Sequence, residues 1–274
     1  MSKKVKFSSY LAVSKISFRN VKKYTVDFLT SFAYFPAQII ALYFVYSIVY
    51  AQTFLIDGAT VIGGFTFAQL INYLFIAIIM QRALPRWRLS TEIEKDIDRG
   101  PLVSYLARPI DYAGFKLFGE FPRSFLYLLF GLITYLITLL FIPLPVPALV
   151  NLLLFVPFFL VAYILAFLLV FATSLAAFKM SQIWWIRNLL GLTMTIAGGG
   201  LIPMSFFPPL LQGILLFLPF QYCYYTPAII LQGYYTVEGL IVIALISVGW
   251  LVILWLLTRG LWNLGRRGYS GAGG

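Results

Sequence analysis

Hydrophobic residues run through this chain in long stretches, and the polar breaks between them are mostly short. A helix needs about 20 apolar residues to cross the hydrocarbon of a bilayer. Six stretches meet that length: roughly 28–50, 66–84, 119–141, 150–178, 183–204 and 238–258. The pattern predicts an all-α integral membrane protein with six transmembrane helices. A further apolar stretch, 206–232, is cut by Pro208, Pro209, Pro219 and Pro227 into pieces of about ten residues or fewer, too short to cross at 1.5 Å per residue. It is expected to form re-entrant half-helices between spans five and six, covered by those two spans or by a second subunit, since bare backbone is not tolerated in lipid. Residues 1–27 are expected to lie in the membrane interface as a helix, with Lys15, Arg19 and Lys22 on one face and Val13, Ser17, Val21, Tyr24 and Phe28 near another. An ordinary basic flank that only sets topology is the alternative reading of that segment.

Charge adds orientation to this pattern. All 20 Lys and Arg residues fall in alternate gaps or at their edges. The N-terminal segment carries Lys3, Lys4, Lys6, Lys15, Arg19, Lys22 and Lys23, the gap after span two runs from Arg82 to Arg123, Lys179 and Arg187 mark the fourth gap, and Arg259, Arg266 and Arg267 follow the last span. The gap 51–65 and the turn Pro143–Pro147 hold no cation. Basic residues near spans stay on the cytoplasmic side, so both termini are expected there. The chain divides into an interfacial segment 1–27, a transmembrane domain 28–258 with a cytoplasmic loop 85–118 and the re-entrant segment 206–232, and a cytoplasmic tail 259–274. No cleavable signal peptide is apparent in the first ~25 residues, so the start of the chain is expected to persist.

Composition narrows the chemistry. With 61% hydrophobic and 11% charged residues, a soluble domain could not hide its apolar surface. The formal charge of +11 sits beside apolar segments, which fits anionic lipid headgroups and not nucleic acid. There is no histidine, and Cys223 is the single cysteine, so metal and disulfide chemistry lose their usual ligands. No bound cofactor is expected on this chain.

The most specific polar segment runs from Ser90 to Pro109. Thr91 and Glu94 fit an S/T-x-x-E capping box, and Ile93 and Ile97 stand one turn apart on a two-turn helix that Gly100 and Pro101 should stop. A second short helix is expected from Pro101 to the Arg108-Pro109 break. The product is a helical hairpin with exposed charge and a narrow apolar edge, shaped to be gripped by a partner or simply solvated.

Several motifs, in order, carry a family resemblance: Ile97–Gly100, Leu106–Pro109, Gly200–Met204, Phe206–Pro209, Leu218–Phe220, Tyr224–Ala228 and the ending from Leu261 to Gly273. Together they resemble the membrane-spanning permease subunits of type-2 ATP-binding-cassette (ABC) exporters. The resemblance implies a half-transporter with an interfacial N-terminal helix, a coupling helix after span two and re-entrant helices before span six. It implies that Glu92, Ile93, Glu94, Asp96, Ile97, Arg99 and Gly100 couple to a cytoplasmic ABC ATPase, with the two isoleucines as apolar anchors and Glu94, Asp96 and Arg99 as polar contacts. It further implies a path between two permease copies, identical or similar, lined from spans one, two and five, in a plasma or inner membrane.

Energy must then come from elsewhere. The chain has no G-x-x-x-x-G-K-[ST] loop, so it is read as a non-enzymatic permease, with ATP and Mg on the partner ATPase. The run Gly198–Gly200 lies in an apolar span and reads as a close helix approach or a bend. All nine acids lie in gaps or at span edges, Asp27, Asp57 and Glu238 apart from the six between Glu92 and Glu120, which leaves proton coupling without a natural carrier. Sodium could use hydroxyls such as Thr173, Ser174, Thr193 and Thr195, so an ion-coupled secondary transporter is the alternative; a membrane-embedded enzyme, without histidine or paired intramembrane acids, is the third reading. Gln38, Gln69, Asn72, Asn188, Thr193 and Thr195 are candidates to line a path or, equally, to bond across helix interfaces. Tyr43, Tyr46 and Tyr50 form a stripe that could stack a flat cargo or serve as an interfacial belt.

Overall fold

Each long apolar stretch satisfies its own backbone by coiling, and the result is a helical protein with one minor hairpin. A computed structural model describes residues 7–21, 25–58 and 60–269. The helices are α1 (Phe7–Val21), α2 (Thr25–Asp57), α3 (Phe67–Ala83), α4 (Trp87–Asp98), α5 (Pro101–Leu106), α6 (Tyr112–Thr138), α7 (Leu149–Ser174), α8 (Trp184–Ala197), α9 (Pro209–Phe217), α10 (Tyr225–Gln232) and α11 (Val237–Arg267). Two-residue strands β1 (Val61–Ile62) and β2 (Phe65–Thr66) pair antiparallel ahead of α3. Gly63 and Gly64 make the turn between them at φ 56° and 84°, a conformation that favours glycine.

Five described helical stretches are long and apolar enough to cross a membrane: Ala33–Ile56, Phe67–Asp98, Tyr112–Thr138, Leu149–Phe178 and Val237–Arg267. The second of these joins α3 to α4, and the fourth adds a 3-10 turn, Leu175–Phe178, to α7. The stretch expected as span five behaves differently. Its helix, α8, has only 14 residues, which is about 21 Å of rise. It stops where Gly198–Gly200 turn the chain, with Gly199 at φ 76°.

That turn is held by its neighbours. Tyr73 Oη donates to the Gly199 carbonyl at 2.5 Å, Gln81 Nε2 donates to the Gly200 carbonyl at 2.7 Å, and the Tyr225 amide donates to the Gly198 carbonyl at 3.0 Å. Carbonyls released by the end of the helix thus meet protein donors. A side chain on Gly199 would sit 2.7 Å from the Tyr73 hydroxyl, so the glycine run is a close approach as well as a bend.

The proline-cut segment forms α9, a 3-10 turn at Pro219–Tyr222, and α10, with Pro209 and Pro219 each opening an element. The foot of this broken pair lies near the midpoint of α11, where Trp250 Nε1 donates to the Phe217 carbonyl at 2.8 Å. Its far end ties to α3 and α7: Gln232 Nε2 donates to the Gln69 carbonyl, and Tyr235 Oη to Asn151 Oδ1. The expected cover is spans five and six or a second subunit, and within this chain the 3-10 turn Pro219–Tyr222 does meet α8 and α11. The packing of α10 is instead chiefly on α7 and α3. The reason is that α3 is the centre of the fold, with every residue from Leu70 to Met80 buried.

The N-terminal helix α1 lies along the first turns of α6, where Tyr10 stacks on Phe118 at 5.2 Å and Gly114 leaves room for the Tyr10 ring. Lys15 and Arg19 are exposed while Val13 and Ser17 are half-buried, the two faces expected of it. Lys22, Tyr24 and the side chains of Val21 and Phe28 lie outside the described residues.

Candidate functional site

The α4–α5 hairpin carries the densest polar network. Leu89, Ile93 and Ile97 recur every four residues along α4, and all three are buried. The helix begins at Trp87 and not at the expected capping box, because the apolar repeat extends one turn further back, to just past Pro85. Thr91 lies inside it and donates to the Trp87 carbonyl at 2.9 Å. A capping box does form at the start of α3, from Thr66 and Gln69. As expected, Gly100 stops α4 at φ 88° and Pro101 opens α5.

Ile93 and Ile97, expected as anchors for a partner, are 0% and 3% exposed and pack in the main core with Leu102 and α7 residues. An amphipathic helix buries its apolar face in the nearest available core, and here that core is the protein's own. The acids also point inward. Arg187 Nη1 meets Glu94 Oε2 at 2.8 Å, and the Ile183 amide donates to Glu94 Oε1 at 3.0 Å, which fastens α4 to the start of α8. Lys116 Nζ lies 2.7 Å from Asp96 Oδ2, and Tyr112 Oη donates to the same oxygen at 2.7 Å, which fastens α4 to α6. Arg88 pairs with Glu92 at 2.7 Å within α4. Tyr269 Oη closes the far end by donating to the Ile97 carbonyl at 2.8 Å. Glu120, expected at the edge of a span, is the ninth residue of α6 and stands in the field of Arg88, Glu92 and Lys116.

What remains exposed, apart from Trp87 at the start of α4, is the tip, which includes Lys95, Asp98, Arg99, Pro101, Val103, Ser104, Leu106 and Arg108. Of the predicted coupling residues, Arg99 belongs to this surface and Gly100 sits half-buried at its corner.

The predicted path residues are scattered. Gln69 is spent on the α3 cap. Asn72 is fully buried and donates to the Pro145 carbonyl at 3.1 Å. Gln38 has a buried carbonyl oxygen with no partner among the described residues. Tyr43 and Tyr50 both pack edge-on against Phe67, and Tyr46 packs partly buried on the core, so the tyrosine stripe faces α3. Thr193 is half-buried on α8.

Asn188 does line a cavity, one of about 190 Å³ between α4, α7 and α8, with Arg86, Ser90, Arg187 and Met194. Thr195 stands at its edge, accepting from Arg86 Nη2 at 3.3 Å. In the sequence Arg86 and Arg187 mark only topology. The available signal was that Arg187 falls within a stretch counted as membrane-spanning, where a cation demands a partner.

Comparison with known proteins adds one finding. The family model described as ABC-2 family transporter protein matches residues 37–273, from within α2 to the end of the described chain and beyond. No curated protein matches the chain.

Proposed function

Since the chain belongs to the ABC-2 transporter family and is a multi-pass membrane permease, we propose that it is the transmembrane half of an ATP-driven exporter. In this reading it crosses the membrane six times with both termini in the cytoplasm, and it sits in a plasma or inner membrane. The fifth crossing is made by α8 together with the non-helical run that follows Gly198. A second permease copy, or a similar chain, completes the path, and a separate cytoplasmic ATPase binds ATP and Mg and does the hydrolysis.

The observation that carries the reading is the locked hairpin. An isolated loop would absorb a push, whereas α4 is joined to α8 through Glu94–Arg187 and to α6 through Asp96–Lys116. Displacement of the exposed tip therefore moves two membrane helices at once. The coupling surface assigned to residues 92–108 is accordingly its outer part, around Asp98, Arg99 and Ser104, while Glu92, Ile93, Glu94, Asp96 and Ile97 transmit from behind. No observation favours ion-coupled transport by this chain alone.

A photo-crosslinking side chain at the exposed Ser104, in cells of the native host, should capture a protein that carries a G-x-x-x-x-G-K-[ST] loop, identified by mass spectrometry. Capture of lipid alone, or of proteins without such a loop, would overturn the coupling role.

A further inference from the structure

A second cavity, of about 480 Å³, opens between the start of α6, the end of α7 and the last turns of α11. Its volume is in the range that holds small ligands. Arg259 and Arg266 both line it, and neither forms an ion pair among the described residues. Arg259 instead rests over the Trp255 ring, 5.0 Å from its centre. Thr258, 5% exposed, contributes a buried hydroxyl that has no hydrogen-bond partner among the described residues, and Asn263 adds an amide. Asp111 also reaches the cavity, but one of its oxygens accepts the Gly114 amide as the cap of α6. Two guanidinium groups against one engaged carboxylate leave the site net positive. A hydroxyl left unpaired in the wall of such a cavity is one that an added acceptor would satisfy.

Depth identifies the ligand. Helix α11 has 31 residues, about 46 Å, against a hydrocarbon core of about 30 Å. A crossing that begins near Val237 leaves the hydrocarbon near Thr258, so Arg259 stands at headgroup level beside Trp255, as aromatic side chains do there, and Arg266 follows about 10 Å further along the helix on the aqueous side, from where its long side chain can reach back. The end of α7 supplies an apolar wall, Leu168 and Phe171, along which an acyl chain can lie.

We propose that this cleft binds the phosphate of an anionic phospholipid, with Arg259 and Arg266 as the phosphate ligands and Thr258 donating to it. Basic pockets between membrane helices bind acidic headgroups by this chemistry. The site shares no residue with the hairpin network or the α8 cavity and does not rest on the coupling reading.

The test is native mass spectrometry of the full chain, stripped of lipid in detergent and titrated with phosphatidylglycerol, phosphatidylethanolamine or inorganic phosphate. Retention of phosphatidylglycerol over phosphatidylethanolamine is expected, with a loss of about tenfold or more in affinity for R259Q/R266Q. Both arginines are exposed, so that variant should melt with the parent; Thr258→Val, which removes only the hydroxyl, should weaken binding several-fold, by about threefold or more. Arg267→Gln removes a neighbouring cation of the same helix end outside the cavity and should leave binding unchanged. Equal binding of the two lipids, displacement by equimolar inorganic phosphate, or an equal loss in Arg267→Gln would each overturn the proposal.

Discussion

Glu94 and Arg187 show how much a single pair decides. Their side chains are 14% and 16% exposed, enough burial that solvent screens them little, and Glu94 also accepts the Ile183 amide. Removing one partner leaves the other charge desolvated, and breaking a buried pair costs about 3–5 kcal/mol. The partial exposure here places the expected cost of Arg187→Gln nearer about 2–3 kcal/mol. Replacing both residues, as E94Q/R187Q, should cost less than the single change, because no orphan charge is left behind. Thermal melting of the four proteins in detergent gives the coupling. If the double variant loses as much as the two single changes added together, the pair does not lock α4 to α8. The same residues explain why the site was only half legible. Acid and base positions can be read from the sequence, but partners 93 positions apart cannot. The four-residue spacing of Leu89, Ile93 and Ile97 announces an apolar face without saying which core receives it.

Among the elements, α8 is the informative one. Its 14 residues fall short of the hydrocarbon thickness, yet the chain enters it at the hairpin, where the Ile183 amide meets Glu94, and reaches α11 beside the start of α7, where Tyr235 bonds Asn151. On the proposed topology the chain makes a net single crossing between Gln182 and Thr236, completed by non-helical backbone that Tyr73, Gln81 and α10 cover. Cysteine placed at Ser104, Gln182 or Gly268 should react with an impermeant maleimide from one side of the membrane, and cysteine at Thr60 or Thr236 from the other. The natural Cys223 is fully buried and should stay silent. Labelling of Gln182 and Thr236 from the same side would remove the fifth crossing and the even count with it. The four uninterrupted long helices and the proline-broken pair were legible because length and proline act locally. The early end of α8 was not, because it depends on donors from α3 that reach the Gly198–Gly200 carbonyls across the fold. The true start of α4 was missed for a simpler reason: Thr91 and Glu94 satisfy a capping pattern that the apolar repeat outweighs.

For the whole molecule, the question is whether force applied at one end arrives at the membrane as motion or is lost in the hairpin. A lever transmits only if its joints are stiffer than its load. Here α4 is joined to α8 by an ion pair and the Ile183 amide, to α6 by Asp96–Lys116 and Tyr112, to α7 by Ser90 Oγ donating to Ser174 Oγ at 2.8 Å while Ser174 itself donates to the Val170 carbonyl, and to the segment after α11 by Tyr269. The apolar face beneath is buried, so sliding the hairpin would expose Leu89, Ile93, Ile97 and Leu102 together, at a cost of about 1.5–3 kcal/mol for each side chain. Rigid-body motion of the hairpin with its helices is therefore cheaper than motion of the hairpin alone. Spin labels at Ser104 and Gln182, both exposed and on opposite sides of the Glu94–Arg187 joint, should give one narrow distance distribution in the purified chain. Arg187→Gln should broaden it while the fold persists. A distribution already broad in the parent protein, or one untouched by the substitution, would mean that the hairpin moves freely and cannot drive α8, whatever grips its tip.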